Sequence, residues 1–188
     1  MNNARYILAL DPSGAFKEGL GTTGWCLFDQ HTDKIVKFGF IYAGNFATQF
    51  KYWDEHIQLI DSLAGYHPDI VIEDYLLYNN KAEAQINSRF ETPQLIGIIK
   101  YEAWKRGLYI HIQTAMQVKT RWSNDTLVHK GYIQKTKNKY TIGGNGTCTH
   151  ILDSVRHAVH YKTYNSNYKG GISNEQKYKH SSNRSKQK

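Results

Sequence analysis

Residues 5–11 read RYILALD, a short apolar run that closes on an acid. Nothing in its centre alternates between polar and apolar, so it predicts a strand covered on both faces. The pattern returns at 69–74, DIVIED, again apolar and again closing on acids. Between the two, WCLFD (25–29) and KIVKFGFIYA (34–43) read as strands on either side of a DQHTD turn, and they make an antiparallel meander with the first. LYIHIQ (108–113) alternates as a fifth strand. The stretch SGAFKEGLGTTG (13–24) carries four glycines and predicts loop.

Helical patterns fill the remainder. Phe50, Trp53, Ile57, Ile60 and Leu63 recur at spacings of three and four within 48–63, the stripe of an amphipathic helix that Gly65 and Pro68 stop. Residues 82–106 are helical in composition, with Pro93 starting a new helix or kinking the first. Residues 114–134 read as helical in places, broken at SND, and TIGGNGTCT (141–149) as a glycine-rich loop. HILDSVRHAVHY (150–161) carries Ile151, Val155, Ala158 and Val159 on one side of a last helix. The order predicts an α/β fold: a mixed five-stranded sheet flanked by helices, strands 1–3 antiparallel and the later ones joined by helical crossovers.

A chain of 188 residues is long enough for one domain with a full core, so neither a disulfide framework nor a structural metal is required to explain folding. Cys26 and Cys148 stand far apart with no CxxC spacing, which speaks for a reducing, cytoplasmic setting. The first residues lack the long apolar region of a signal peptide, and no stretch reaches the roughly 18 apolar residues of a membrane span. The formal charge of +8 and pI near 9.3 point to a polyanionic partner. Across 162–188 seven lysines and arginines face a single acid, Glu175, which leaves only about +2 for residues 1–161. The division expected is a folded domain over 1–162 and a basic, disordered tail over 163–188.

Three acids stand at telling places: Asp11 closes the first strand, Glu73 the fourth, and Asp153 lies near the start of the last helix. Ligands of open α/β sheets gather at the carboxyl ends of strands. Were strands 1 and 4 adjacent and parallel, Asp11 and Glu73 would meet there, a pairing tolerated when a hard divalent cation lies between them. Such a site suits two magnesium ions about 3.5–4 Å apart acting on a phosphodiester. His150, three residues before Asp153, shares its helical face and is a fourth candidate. Each acid also has an ordinary structural role: Asp11 before Pro12 caps turns, Glu73 beside Asp74 solvates a strand end, and Asp153 suits a helix N-terminus.

The segments LALDPSG and GTTGWCLFD, then IVIEDYLL, then HILDSVRHAVHY resemble the RuvC-type Holliday-junction resolvases of the RNase H-like superfamily, in the form of the small, divergent resolvases of bacteriophages. The resemblance implies that Asp11, Glu73, His150 and Asp153 form a metal site for magnesium, with manganese able to substitute and two ions per site. It also implies symmetric phosphodiester hydrolysis of four-way DNA junctions by a homodimer, leaving 5′-phosphate and 3′-hydroxyl ends. The chain departs from the pattern in its DPSG turn and longer following loop, and in Asp74 beside Glu73, which would face the opposite side of the strand.

Lys119, Arg121, Lys130, Lys135, Lys137 and Lys139 crowd one segment with Trp122, Tyr132 and Tyr140, a composition that suits phosphate contact with base stacking and equally a solvated surface. By the resemblance, Lys119 or Lys130 would stabilise charge at the scissile phosphate. Arg89 and Phe90 are further candidates for DNA contact. Leu95, Ile98, Ile99 and Trp104 form an apolar side of helix 94–106 that fits either a dimer interface or the sheet. Other readings of the same residues are an RNase H-like nuclease for flaps or RNA–DNA hybrids, and a non-catalytic nucleic-acid-binding module.

Overall fold

A computed structural model describes residues 4–76, 90–137 and 139–166. Strand β1 (Tyr6–Asp11) lies at the centre of a five-stranded sheet of order β3-β2-β1-β4-β5. It pairs antiparallel with β2 (Thr22–Asp29), which pairs antiparallel with β3 (Lys34–Tyr42). On its other side β1 runs parallel to β4 (Asp69–Glu73), and β4 parallel to β5 (Ile110–Gln113). The mixed sheet expected from the strand order is therefore present. Ile7, Leu8 and Ala9 are fully buried, as a strand covered on both faces must be.

Alternation along the strands sorts the core into two halves. Leu8, Leu10, Ile70 and Ile72 face α1 (Gln49–Leu63) and α2 (Glu91–Lys105). Ile7, Ala9, Cys26, Phe28 and Val71 face α5 (Thr149–Tyr164), which supplies Ile151, Val155, Ala158 and Val159 as the sequence pattern predicts. Two short helices, α3 (Ala115–Lys119) and α4 (Asn124–His129), pack on the same side through Val118 and Leu127.

Three local readings are corrected, those of β2, of the α1 stripe and of residues 134–146. Strand β2 begins at Thr22, so Thr22 to Gly24 are strand and not loop; Gly24 pairs with Asp11. The α1 stripe is rotated: Tyr52, His56, Ile60 and Leu63 are buried, whereas Phe50 is 75% exposed. Polar ends that find partners explain it. The Tyr52 hydroxyl donates to the Ser13 carbonyl at 2.6 Å, and His56 meets Thr23 Oγ1 and the Tyr52 carbonyl, each at 2.8 Å. The apolar side of α2, open to either fit, divides: Leu95 and Ile99 pack on the sheet, and Trp104 is 68% exposed and stacks on Tyr101. Finally, β6 (Gln134–Thr136), β7 (Lys139–Ile142) and β8 (Asn145–Gly146) form a small antiparallel sheet where helix and loop are expected. Gly143 and Gly144, both at positive φ, make the two-residue hairpin turn.

Helix α5 continues to Tyr164, past the expected boundary at 162. Residues 167–188 of the tail, and the part of the expected 82–106 helix before Phe90, lie outside the described residues.

Candidate active site

Because Asp11 and Glu73 continue the parity of Ala9 and Val71, both carboxylates turn toward α5 at the carboxyl ends of adjacent parallel strands. Gly24, opposite Asp11, has no side chain, and the backbone of α5 at His150 occupies that space. The first turns of α5 therefore come down onto the strand ends. His150, Asp153 and His157, spaced three and four apart, share the face that meets the carboxylates.

One ligand oxygen from each of Asp11, Glu73 and Asp153 lies within 4.8 Å of the others. Asp11 and Asp153 are buried and Glu73 is half-buried. Four basic groups lean on the three acids. His150 Nδ1 lies 2.7 Å from Asp11 Oδ2. Lys119 Nζ, at the end of α3, lies 3.0 Å from Asp153 Oδ2 and 3.7 Å from Glu73 Oε1. Arg156 donates to Asp153 Oδ1 and Asn124 Oδ1, and its Nε donates to the Trp122 carbonyl at 2.8 Å. His157, fully buried, places Nε2 2.8 Å from Glu73 Oε2 and Nδ1 2.9 Å from Gln113 Oε1.

The turn after Asp11 is held from three sides. The Ser13 amide donates to Thr23 Oγ1 of β2, the Gly14 amide to Thr92 Oγ1 of α2, and the Phe16 amide to Glu91 Oε2 at 2.8 Å. A β-carbon on Gly14 would lie 2.2 Å from the Glu91 carbonyl, so only glycine permits this approach. A cleft of about 150 Å³ opens beside Asp11, Pro12, Glu73 and Thr92.

Electrostatics at the cluster are unbalanced. Burial pushes the Asp11 carboxyl above the ordinary range; the His150 hydrogen bond opposes that shift, and repulsion from Glu73 and Asp153 adds to it. Burial also acts to raise Glu73, but the His157 hydrogen bond and the charges of His157, Lys119 and His150 outweigh it and hold Glu73 below its usual value. Burial acts to lower Lys119, and the Asp153 hydrogen bond with the surrounding carboxylates overrules it, leaving the ammonium above its usual value. His150 is raised, chiefly by its hydrogen bond to Asp11. Three hard oxygen donors converging on one point, with Asp11 disfavoured as an anion, make a donor set that fits a divalent cation.

The structure brings Asp11, Glu73, Asp153, His150 and Lys119 together, with His150 bonded to Asp11 and outside the three-carboxylate group. Asp74 lines the same cleft without joining that group. Other expected residues lie elsewhere. Lys130 caps the end of α4 and is exposed; Lys135 and Lys137 are exposed on the β6–β7 hairpin. Arg121 lies over the Tyr164 ring at 4.7 Å from its centre. Phe90 caps α2 in a left-handed conformation, and Arg89 lies outside the described residues. His157, Arg156, Gln113 and Glu91 escaped the sequence reading. Only His157 carried a usable signal, seven residues after His150 and four after Asp153.

No protein-family profile and no curated protein sequence matches this chain. Solved structures do. Thermus thermophilus RuvC in complex with a Holliday junction substrate superposes with a TM-score of 0.61 at 13% identity, over 86% of this chain and 96% of that one. A second Thermus thermophilus RuvC structure superposes at 0.57 and 11% identity, over 86% of this chain and 98% of the other. The mixed sheet with its flanking helices is thus the RuvC, RNase H-like fold.

Proposed function

We propose that this protein is a divalent-metal-dependent endonuclease that cuts branched DNA, resolving four-way junctions by symmetric phosphodiester hydrolysis. The observation that carries the reading is the convergence of Asp11, Glu73 and Asp153 within 4.8 Å at two strand ends and a helix start. Their likeness in fold to a junction-bound RuvC supports the substrate class.

In this reading Asp11, Glu73 and Asp153 hold magnesium, two ions per site, with manganese as a substitute. A bound divalent cation supplies Lewis-acid polarisation of the phosphate and activation of water. The chain's own groups do the rest. Lys119, already drawn among the acids, offers an ammonium to the charge that develops on the phosphoryl oxygens. His150, held by Asp11, keeps a proton beside the reacting phosphate. His157 orients Glu73, and Arg156 orients Asp153.

Lys130, Lys135, Lys137, Arg121, Arg89 and Phe90 contact the DNA, and the basic tail beyond 162 adds affinity independent of sequence. A homodimer presents two such sites to the two strands of a junction. The reading assigns the chain to the small bacteriophage-type branch of the resolvases and places its action in the host cytoplasm. Among the described residues no helix is long and apolar enough to cross a membrane.

The test offers four-way junction, flap, duplex and RNA–DNA hybrid to the protein and to Asp11→Asn. The expected result is preferential paired cutting of the junction, lost in Asp11→Asn with junction binding retained. Equal cutting of all four substrates defeats the resolvase assignment. Cleavage unchanged in Asp11→Asn defeats the catalytic one.

A further inference from the structure

A second cavity, of about 420 Å³, opens between β5, α3 and the C-terminal half of α5. Among the described residues none of the three carboxylates lines it, and no other acid does. Its wall carries His111 and Gln113 from β5, Gln117 from α3, Arg121, and His160 and Tyr164 from α5. The Arg121 guanidinium is laid against the Tyr164 ring, and the His160 ring packs on the same Tyr164 ring with centroids 4.8 Å apart.

Two buried side-chain atoms of residues that line it lack a hydrogen-bond partner among the described residues: the side-chain nitrogen of Gln113 and Nδ1 of His160. Both residues are deeply buried, 2% and 9% exposed. Buried polar groups are nearly always satisfied, so two orphans in one cavity point to a ligand that meets them. Its chemistry follows from the wall. An apolar ligand would leave both orphans unmet. A cation would face Arg121 with no carboxylate to offset the repulsion. An oxyanion with several acceptor oxygens satisfies the amide nitrogen, an imidazole N–H and the guanidinium together. Burial lowers the His160 pKa first, and the charges of Arg121, His157 and His111 add to the shift. The volume falls in the range of a phosphate-bearing small molecule or nucleotide.

We propose that this cavity is a phosphate-binding site separate from the carboxylate cluster, with Arg121, Gln113 and His160 as its donors and Tyr164 as a flat wall. It does not depend on the nuclease reading. It does touch that centre, because Gln113 Oε1 holds His157 and His157 holds Glu73. Occupancy that draws on the Gln113 amide is therefore transmitted to Glu73 through two hydrogen bonds.

The experiment titrates the full chain, in EDTA so that no divalent cation bridges phosphate to the carboxylates, with inorganic phosphate, a deoxynucleoside 5′-monophosphate and a 5′-phosphorylated single strand. Histidine ring signals are followed by NMR. The expected result is saturable shifts of His111 and His160 with His56 still. Arg121→Ala should weaken binding at least tenfold without changing Tm, and Lys51→Ala, on exposed α1 surface, should leave it unchanged. The tightest probe of the three identifies whether the phosphate is free, on a nucleotide or on a DNA end. Shifts absent from His160, or binding that survives Arg121→Ala, overturn the proposal. Equal weakening by Lys51→Ala overturns it too, since general surface charge would then be the cause.

Discussion

A β-carbon on Gly24 would lie 2.1 Å from the carbonyl carbon of His150, so the start of α5 rests directly on the backbone of β2. That approach sets the height at which Asp153 and His150 meet Asp11. Replacing Gly24 by alanine forces helix and sheet apart. The expected cost is about 1–3 kcal/mol, the usual range for overpacking, with Tm lowered by roughly 2–4 °C per kcal/mol for a chain of this size. Calorimetry checks it. An unchanged Tm would mean that the helix yields freely and that Gly24 does not set the site.

His157 is fully buried and spans Gln113 and Glu73, so it acts on cation binding through Glu73. His157→Ala is expected to weaken divalent affinity by about 10–100-fold, the range for groups that orient a ligand. The readout is the stabilisation by added manganese, which at 100 times Kd amounts to about 2.7 kcal/mol for one site. If the variant folds and manganese raises its Tm as in the parent, the orienting role is wrong.

Lys119 and Lys130 separate by the same logic. Lys119 Nζ sits among the carboxylates, whereas Lys130 ends α4 in solvent. Lys119→Ala is expected to reduce single-turnover cleavage by about 10²–10³, as loss of a charge-stabilising donor does. Lys130→Ala should change only binding, lowering the salt slope by about one. The reverse pattern would transfer the role to Lys130.

His56 gives the pH dependence. Burial pushes its pKa down from 6.5 to about 4, with the Tyr52 carbonyl opposing. The unfolded chain then binds the proton that the folded chain refuses, so the contribution is complete above about 6.5 and is lost as pH falls toward 4. Over that window the loss is on the order of 3 kcal/mol. His56→Gln should flatten the profile of denaturant midpoint against pH between those limits. A parent profile that is already flat there would contradict the assignment.

How much of this was legible beforehand depends on the kind of information. The strands of the central sheet were readable because a strand buried on both faces needs an uninterrupted apolar run, and RYILALD and DIVIED have nothing else to offer. Parity along those runs is local too, but it sends Asp11 and Glu73 to one face only through the parallel pairing of β1 with β4. The rotated face of α1 was not readable. Tyr52 and His56 look polar by composition, and only their partners Ser13 and Thr23, far off in the chain, make burial affordable.

The sequence by itself determined the strands of the central sheet, the acids that close β1 and β4, and the three-residue step from His150 to Asp153. Tertiary structure alone decided their company: Lys119 and His157 at the acids, Arg121 turned away to Tyr164, and Gln113 set between His157 and the second cavity. The physical reason is range. Periodicity acts over a few residues, while hydrogen bonds and charge act through space between segments whose separation in the chain carries no record of their contact.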